Sequence, residues 1–335
     1  MSAEPRRVAV GSAHRSAGGG RIEILELAPS PAGDSVVRVA SAVTTGPIAY
    51  LARHPRLPLL YAASEDGSQG VVTAYAWDAE GALEQRSAGR SPGRPSHLCV
   101  SSDGAHLLTA DYGTSSVSLF RLEADGSIAG RLDELRCEGS GPSARQESSH
   151  PHQVVEVDGA FFVPDLGADL VRRITITPGG ALRETARLAV PPGSGPRHAV
   201  AADGLLYVAC ELSGEVRWDG FDGAAGFASG IGSSATGADE IMPSAIRLVG
   251  DRILVANRGP GTVLDARRTP GGLVDAHEFA SGGTWPRDLV VAGDLVVVAD
   301  HRADAVHVVG GIEPHQLLAV HRVSGPTSVV ALAAA

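Results

Sequence analysis

Arg197 and Arg287 each stand directly after a proline and ahead of a short apolar run, while Arg258 directly follows another such run, RILVAN at 252 to 257. A guanidinium is a rigid fork of N–H donors that grips a carboxylate or phosphate through paired hydrogen bonds. His152 occupies the same post-proline place and Glu211 the same post-run place elsewhere, so groups able to carry a proton recur beside the anion binders. Imidazole titrates near neutrality, and a positioned general acid or base contributes about 10²- to 10⁴-fold in rate. An internal Arg–Glu or His–carboxylate network tying neighbouring elements together would use the same residue types.

The elements that position these residues repeat. Pro47, Pro95, Pro151, Pro196, Pro243, Pro286 and Pro326 each precede an apolar run, at intervals of 40 to 56 residues, close to the roughly 40- to 50-residue period of a propeller blade. A second run follows most of them: LLYAAS (59 to 64), HLLTAD (106 to 111), FFVPD (161 to 165), LLYVAC (205 to 210), RILVAN and LVVVAD (295 to 300). A third follows several, as in VVTAYAW (71 to 77), SVSLFRL (116 to 122), LVRRITI (170 to 176) and AVHVVG (305 to 310). Three or four short strands per repeat, bounded by turns, read as antiparallel blades. Only one strand follows Pro326, whereas RRVAVGS (6 to 12) and RIEILEL (21 to 27) read as second and third strands without a first. The expected fold is therefore all-β, a seven-bladed β-propeller closed by pairing of N- and C-terminal strands, with residues 1–335 as one domain.

In such a ring the start of strand one and the end of strand two of every blade meet on one face. Ile48, Ser96, His152, Arg197, Ser244, Arg287 and Thr327 then form one ring at the mouth, with His97, His198 and Asp288 beside them. Glu65, Tyr112, Leu166, Glu211, Arg258 and His301 form a second. Cations and proton carriers concentrate there although the chain has a net charge of −10. The polar stretch 138 to 149 and the Gly/Ala/Ser-rich stretch 223 to 242 read as loops, either slack connections or a rim over the mouth.

The acidic balance argues against a general nucleic-acid or acidic-membrane surface. No apolar run approaches a membrane span, and MSAEPRR lacks the core of a signal peptide. Three sparse cysteines, none in CxxC spacing, fit a reducing cytoplasm. Other chemistries fail on their details. Ser91 sits in GRSPG, where Pro92 removes the N–H that a nucleophile elbow needs. GIGSSA (230 to 235) lacks the flanking strand and helix of a dinucleotide site. A chain without lysine forms neither P-loop nor Schiff base. Glu65, Asn257 and Asp300 are oxygen ligands near the mouth, but no spacing specifies a metal, so no cofactor is expected. Trp77-Asp78 and Trp218-Asp219 lack the companion Gly-His of WD repeats and read as packing between blades.

RQESSHPH (145 to 152), VPDLGADLV (163 to 171), GSGPRH (193 to 198), YVACELSGEV (207 to 216), VANRG (255 to 259) and GTWPRD (283 to 288) resemble signature segments of the seven-bladed propeller lactonase family. That family includes the propeller type of 6-phosphogluconolactonase and the enzyme that lactonises carboxymuconate. The resemblance implies a small anionic lactone as substrate and a site of one histidine, two arginines and one glutamate. These fall on His152, Arg197, Arg258 and Glu211, with His150 an alternative for the histidine and His150, His198, Arg287 and Glu65 as substrate-binding neighbours. Hydrolysis of a sugar-acid lactone, foremost 6-phosphogluconolactone, is the leading expectation. A muconate-type cycloisomerase and a non-catalytic metabolite-binding or scaffold propeller are the alternatives, and the oligomeric state stays open.

Overall fold

The computed structural model describes residues 6–13, 19–28, 35–44, 46–238, 240–311 and 315–332. Seven four-stranded antiparallel sheets follow one another. Blade one comprises Ile48–Arg53, Leu59–Asp66, Gln69–Trp77 and Leu83–Ser91, and blade two Pro95–Val100, His106–Asp111, Ser116–Leu122 and Ile128–Arg136. Blade three holds Val155–Val157, Ala160–Asp165, Leu170–Ile176 and Leu182–Ala189, and blade four Pro196–Ala202, Leu205–Cys210, Glu215–Gly220 and Ser229–Gly232. Met242–Val249, Arg252–Arg258, Thr262–Thr269 and Gly272–Ala280 make blade five. Blade six is Pro286–Ala292, Leu295–Asp300, Ala305–Gly310 and Leu317–Arg322. In blade seven the inner strand Pro326–Leu332 pairs with Arg6–Ala13, and Gly20–Ala28 and Ser35–Thr44 complete the sheet. The fold is the expected seven-bladed β-propeller, closed by the two ends of the chain.

Burial explains the strand patterns. Ala160–Asp165 and Leu295–Asp300 are buried along their whole length, whereas the outer strand Leu182–Ala189 alternates towards solvent. Strands covered on both faces read as continuous apolar runs and those covered on one face as alternation. Each joint between neighbouring blades has its own apolar cluster. Ile22 and Ile24 of blade seven meet Leu51 and Trp77 of blade one, and Phe279 of blade five meets Val296 and Val298 of blade six. Trp218 packs at the joint between blades four and five, so both tryptophans of the WD dipeptides are joint residues.

Three expectations need correction. The apolar run expected after Pro151 is a strand only at Val155–Val157, because the chain bulges after Pro151. Pro151 bridges to Asp165, and the His152 amide donates to the Pro164 carbonyl at 2.9 Å. Second, the loop expected at 223 to 242 contains a strand, Ser229–Gly232, paired with Glu215–Trp218. Its sequence, SGIG, carries no strand signature, and the existing edge of blade four recruits it. Third, Ile48 does not belong to the mouth ring: it pairs with Ser64 and is buried in the joint core, and Ala49 takes the ring position.

Candidate active site

Inner strands begin with a shared irregularity. Pro95 pairs with Asp111 and His97 with Ala110. Pro196 pairs with Cys210 and His198 with Ala209, and Pro286 pairs with Asp300 and Asp288 with Ala299. The intervening residue faces no partner. A bulge of this kind re-aims its side chain, and here it delivers Ser96, Arg197 and Arg287 to one cavity of about 240 Å³. His152 reaches the same cavity from the bulged start of blade three, and Glu65, Tyr112, Glu211 and Arg258 reach it from the ends of second strands.

Ring members with short hydroxyl side chains also brace the scaffold. Ser96 Oγ lies 3.0 Å from the His152 carbonyl, Ser244 Oγ donates to Pro286 O at 2.6 Å, and Thr327 Oγ1 reaches Ile48 O at 2.8 Å. Each links the inner strand of one blade to that of the next. Leu166 is fully buried, and neither it nor His301 lines the cavity.

Glu211 is the electrostatic hub. Its Oε2 lies 2.9 Å from Arg197 Nε and 2.5 Å from Arg258 Nη2, and its Oε1 lies 2.7 Å from Arg145 Nη1. Burial alone would raise this carboxyl, but Arg258 and Arg197 outweigh it and hold Glu211 well below the usual carboxylate range. Arg197 also donates to Ser244 O at 2.7 Å. Burial and the neighbouring charge of Arg258 push its guanidinium down to about 9, still protonated at neutral pH. Arg258 donates to the carbonyls of Met242 and Pro243, and its guanidinium carbon stands 5.6 Å from the Trp285 ring centre, within cation–π range. Arg287 makes no hydrogen bond or ion pair among the described residues and faces the cavity. Two glycines fix the arginines' backbone. Gly195, with φ +60°, would place a Cβ 2.4 Å from Leu212 Cγ, and Gly259, with φ +96°, would place one 2.0 Å from the Glu240 carbonyl.

His152 is a neutral imidazole at physiological pH. Burial, and then the charge of Arg197, lower it well below 6.5, with Glu211 opposing. Its Nδ1 is buried without a hydrogen-bond partner among the described residues, which leaves Nε2 as the nitrogen open to the cavity. Glu211 makes no hydrogen bond to His152 and so does not orient it, although the two share the cavity. His150 lies outside the cavity lining. Its ring stacks on Tyr112 with centroids 4.2 Å apart, its Nδ1 lies 3.1 Å from Tyr112 O and its Nε2 3.1 Å from Glu147. His198 also lies outside the lining, one layer deeper in the channel, with its ring 5.4 Å from His152 and 5.5 Å from His97. Beside them, Tyr50 lies 3.0 Å from Arg247, which in turn pairs with Asp288 at 2.5 Å.

Two cavity arginines have no place in the repeat. Arg94 comes from the turn before blade two and pairs with Glu65 at 3.3 Å, and Arg145 comes from the stretch 138 to 149, which forms part of the rim. That rim is tied down by Gln146 to Leu166 O at 2.8 Å and by the fully buried Arg172 to Glu138 O at 2.6 Å. The oxygen ligands considered for a metal do not converge. Asp300 accepts the Trp285 and Ala303 amides, Asn257 donates to Ser233 O, and Glu65 belongs to no His/Cys/Asp/Glu group close enough to share an ion among the described residues.

The family described as "Lactonase, 7-bladed beta-propeller" matches residues 7–316. The chain belongs to this lactonase family. It is 31% identical over 260 residues to the 6-phosphogluconolactonase of Bacillus subtilis, covering 72% of this chain and 73% of that protein. Among solved structures, the periplasmic gluconolactonase PpgL of Pseudomonas aeruginosa superposes with a TM-score of 0.89 at 26% identity, over 99% of this chain and all of that one. A Lactobacillus plantarum protein superposes with a TM-score of 0.87 at 23% identity, over 98% of this chain and 100% of that one, a likeness of fold. Membership in the lactonase family makes the chain a lactone hydrolase, and all six signature segments lie inside the matched region. Among the described residues no helix is long and apolar enough to cross a membrane.

Proposed function

We propose that the cavity at the channel mouth hydrolyses 6-phosphogluconolactone. The observation that carries this reading is the charge balance of the lining. Five arginines, Arg94, Arg145, Arg197, Arg258 and Arg287, face two carboxylates, Glu65 and Glu211. Such a cavity takes a small anion carrying more than one negative charge when its ring opens. A phosphorylated sugar lactone gains a carboxylate on hydrolysis and fits that demand. Arg287, whose guanidinium has no hydrogen-bond or ion-pair partner among the described residues, is the first contact for the phosphate.

In this mechanism His152 Nε2 accepts a proton from water as the oxygen adds to the lactone carbonyl. Arg197 and Arg258 donate to the developing oxyanion, the kind of preorganised stabilisation that contributes most in acyl transfer. Collapse of the tetrahedral intermediate breaks the ring C–O bond, and the imidazolium returns its proton to the departing alkoxide. Glu211 takes no proton. It stays ionised and keeps mutually repelling guanidiniums in place. We place the reaction in the cytoplasm, a reading supported by the three free cysteines.

The test follows lactone opening against its spontaneous rate, for phosphorylated and plain sugar lactones, with wild type beside His152→Ala and Arg197→Ala. Wild-type acceleration that is greatest for the phosphorylated lactone and lost in both variants is the expected result. Equal rates with and without enzyme for every sugar lactone would refute the substrate class. Unchanged rates in the variants would refute the site.

A further inference from the structure

On the face of the ring away from the active-site mouth, Asp265 and His277 stand opposite each other on the third and fourth strands of blade five. His315, immediately before the outer strand of blade six, completes a cluster with them. Its Nε2 lies 3.8 Å from Asp265 Oδ2, and His277 Nε2 lies 3.7 Å from the same oxygen. One ligand atom from each residue falls within 4.8 Å of the other two. The two Asp–His spacings exceed a hydrogen bond. They suit donors sharing one ion, because ligand atoms each about 2.0 to 2.2 Å from a zinc ion lie at most about 4.4 Å apart.

The surroundings are those of a prepared ligand set. His315 Nδ1 lies 2.9 Å from the Gly310 carbonyl. That contact makes Nδ1 the protonated nitrogen and leaves the Nε2 lone pair pointing at Asp265, the tautomer that a backbone carbonyl imposes on metal-binding histidines. Only 6% of the His315 side chain is exposed, and its Nε2 is buried with no hydrogen-bond partner among the described residues. A buried, aimed and unsatisfied nitrogen is costly unless something binds it. Phe279 stacks on the ring with centroids 3.9 Å apart and fixes its plane. Arg252 pairs with Asp265 Oδ1, which leaves Oδ2 for the histidines. Arg252 Nη2 stands 3.5 Å from His277 Nδ1, beyond a normal hydrogen-bond length, and His277 takes up an ion through Nε2 only as the Nδ1–H tautomer, which gives up that contact. A cavity of about 280 Å³, lined by Arg252, Asp265, Asp294 and His315 among others, opens onto the cluster and supplies an entry path.

We propose that Asp265, His277 and His315 bind a divalent transition ion of the zinc type, joining the outer edges of blades five and six. Two imidazoles and one carboxylate are the donor set that zinc accepts with one position left for solvent. The neighbouring Arg252 charge lowers affinity relative to an all-neutral surround. The site lies apart from the lactonase cavity, so its role is to hold the joint.

Chelator-treated full-length protein is titrated with Zn²⁺ against a chromophoric indicator, and Co²⁺ is added separately to read the ligand field by visible absorption. The expected result is one site per chain with Kd below about 1 µM, a Co²⁺ spectrum of tetrahedral type, and a melting temperature raised by Zn²⁺. His315→Gln and Asp265→Asn each weaken binding by about 100-fold or more, while His106→Gln on blade two leaves it intact. His277→Gln alters the most exposed of the three and reads the same loss if the other two variants misfold. Absence of binding in the wild type, or binding that survives all three substitutions as adventitious zinc only, overturns the proposal.

Discussion

One carboxylate oxygen of Glu211 lies 2.9 Å from Arg197 and 2.5 Å from Arg258, so a single acceptor joins guanidiniums from two adjacent blades. Glu211 is 2% exposed, Arg197 4% and Arg258 9%. Like charges at this depth coexist only because the carboxylate lies between them. Removing one partner of a buried ion pair costs about 3 to 5 kcal/mol, since the other is left uncompensated.

Glu211→Gln is therefore expected to lose stability by about that amount and to lose activity with it. Urea unfolding and lactone turnover on the same preparation check both. A variant as stable as wild type would mean that the arginines find other partners.

Replacing each histidine of the SSHPH segment separates their parts. His152→Ala is expected to lower kcat by about 10²- to 10⁴-fold with the fold retained. His150→Ala, which breaks contacts to Tyr112 and Glu147 and removes no residue of the cavity lining, is expected to act mainly on thermal stability. A larger loss of kcat in His150→Ala than in His152→Ala would exchange their roles.

Arg287→Ala is expected to raise KM for a phosphorylated lactone by roughly 10- to 100-fold, the worth of a charge-assisted contact of about 1.5 to 3 kcal/mol. It should leave stability unchanged or improved, because burial and the Arg258 charge already disfavour this cation. Steady-state kinetics with phosphorylated and plain lactones check the split. Equal effects on the two would remove Arg287 from phosphate binding.

Acid sensitivity follows from the three channel histidines. His97, His152 and His198 are all lowered well below 6.5 by burial and then by neighbouring positive charge. Below pH 6.5 the unfolded chain takes up protons that the folded one refuses, so stability falls as pH falls. Each histidine contributes about 1.4 kcal/mol per pH unit, together about 4, until its folded value is reached. Because neutral His152 is the active form, kcat/KM should stay level from pH 8 to 6.5 and decline only at lower pH. Denaturation midpoints and rates between pH 5 and 8 check both, and an acid limb centred above 6.5 would exclude His152 as the base.

Blade number and ring closure were legible because each blade repeats a proline and continuous apolar runs, which burial on both faces requires. The cavity residues His152, Arg197, Glu211, Arg258, Arg287 and Glu65 were legible because they sit at repeat positions. Arg94 and Arg145 were not, since they enter from connecting segments with no periodicity to align. Ile48 misled because the bulge of blade one begins one residue later relative to its proline than in blades two, four and six. The tethering of His150, the depth of His198 and the lack of a hydrogen bond between His152 and Glu211 depend on side-chain directions that spacing does not encode. Cluster Asp265–His277–His315 joins a cross-strand pair to a residue of the next blade, so no local motif announced it.

Pairing of Arg7 with Leu332 brings together residues at opposite ends of the chain. Loop-closure entropy grows only logarithmically, by about 0.6 kcal/mol per doubling of length, so this contact is thermodynamically inexpensive. Its burden is kinetic, because non-local pairing comes late. Until Pro326–Leu332 docks, the Arg6–Ala13 strand presents an unpaired edge while six blades are free to form. The vulnerable species during folding is thus an open ring, and the last docking step rather than the making of any one blade sets how long that edge is available to another chain.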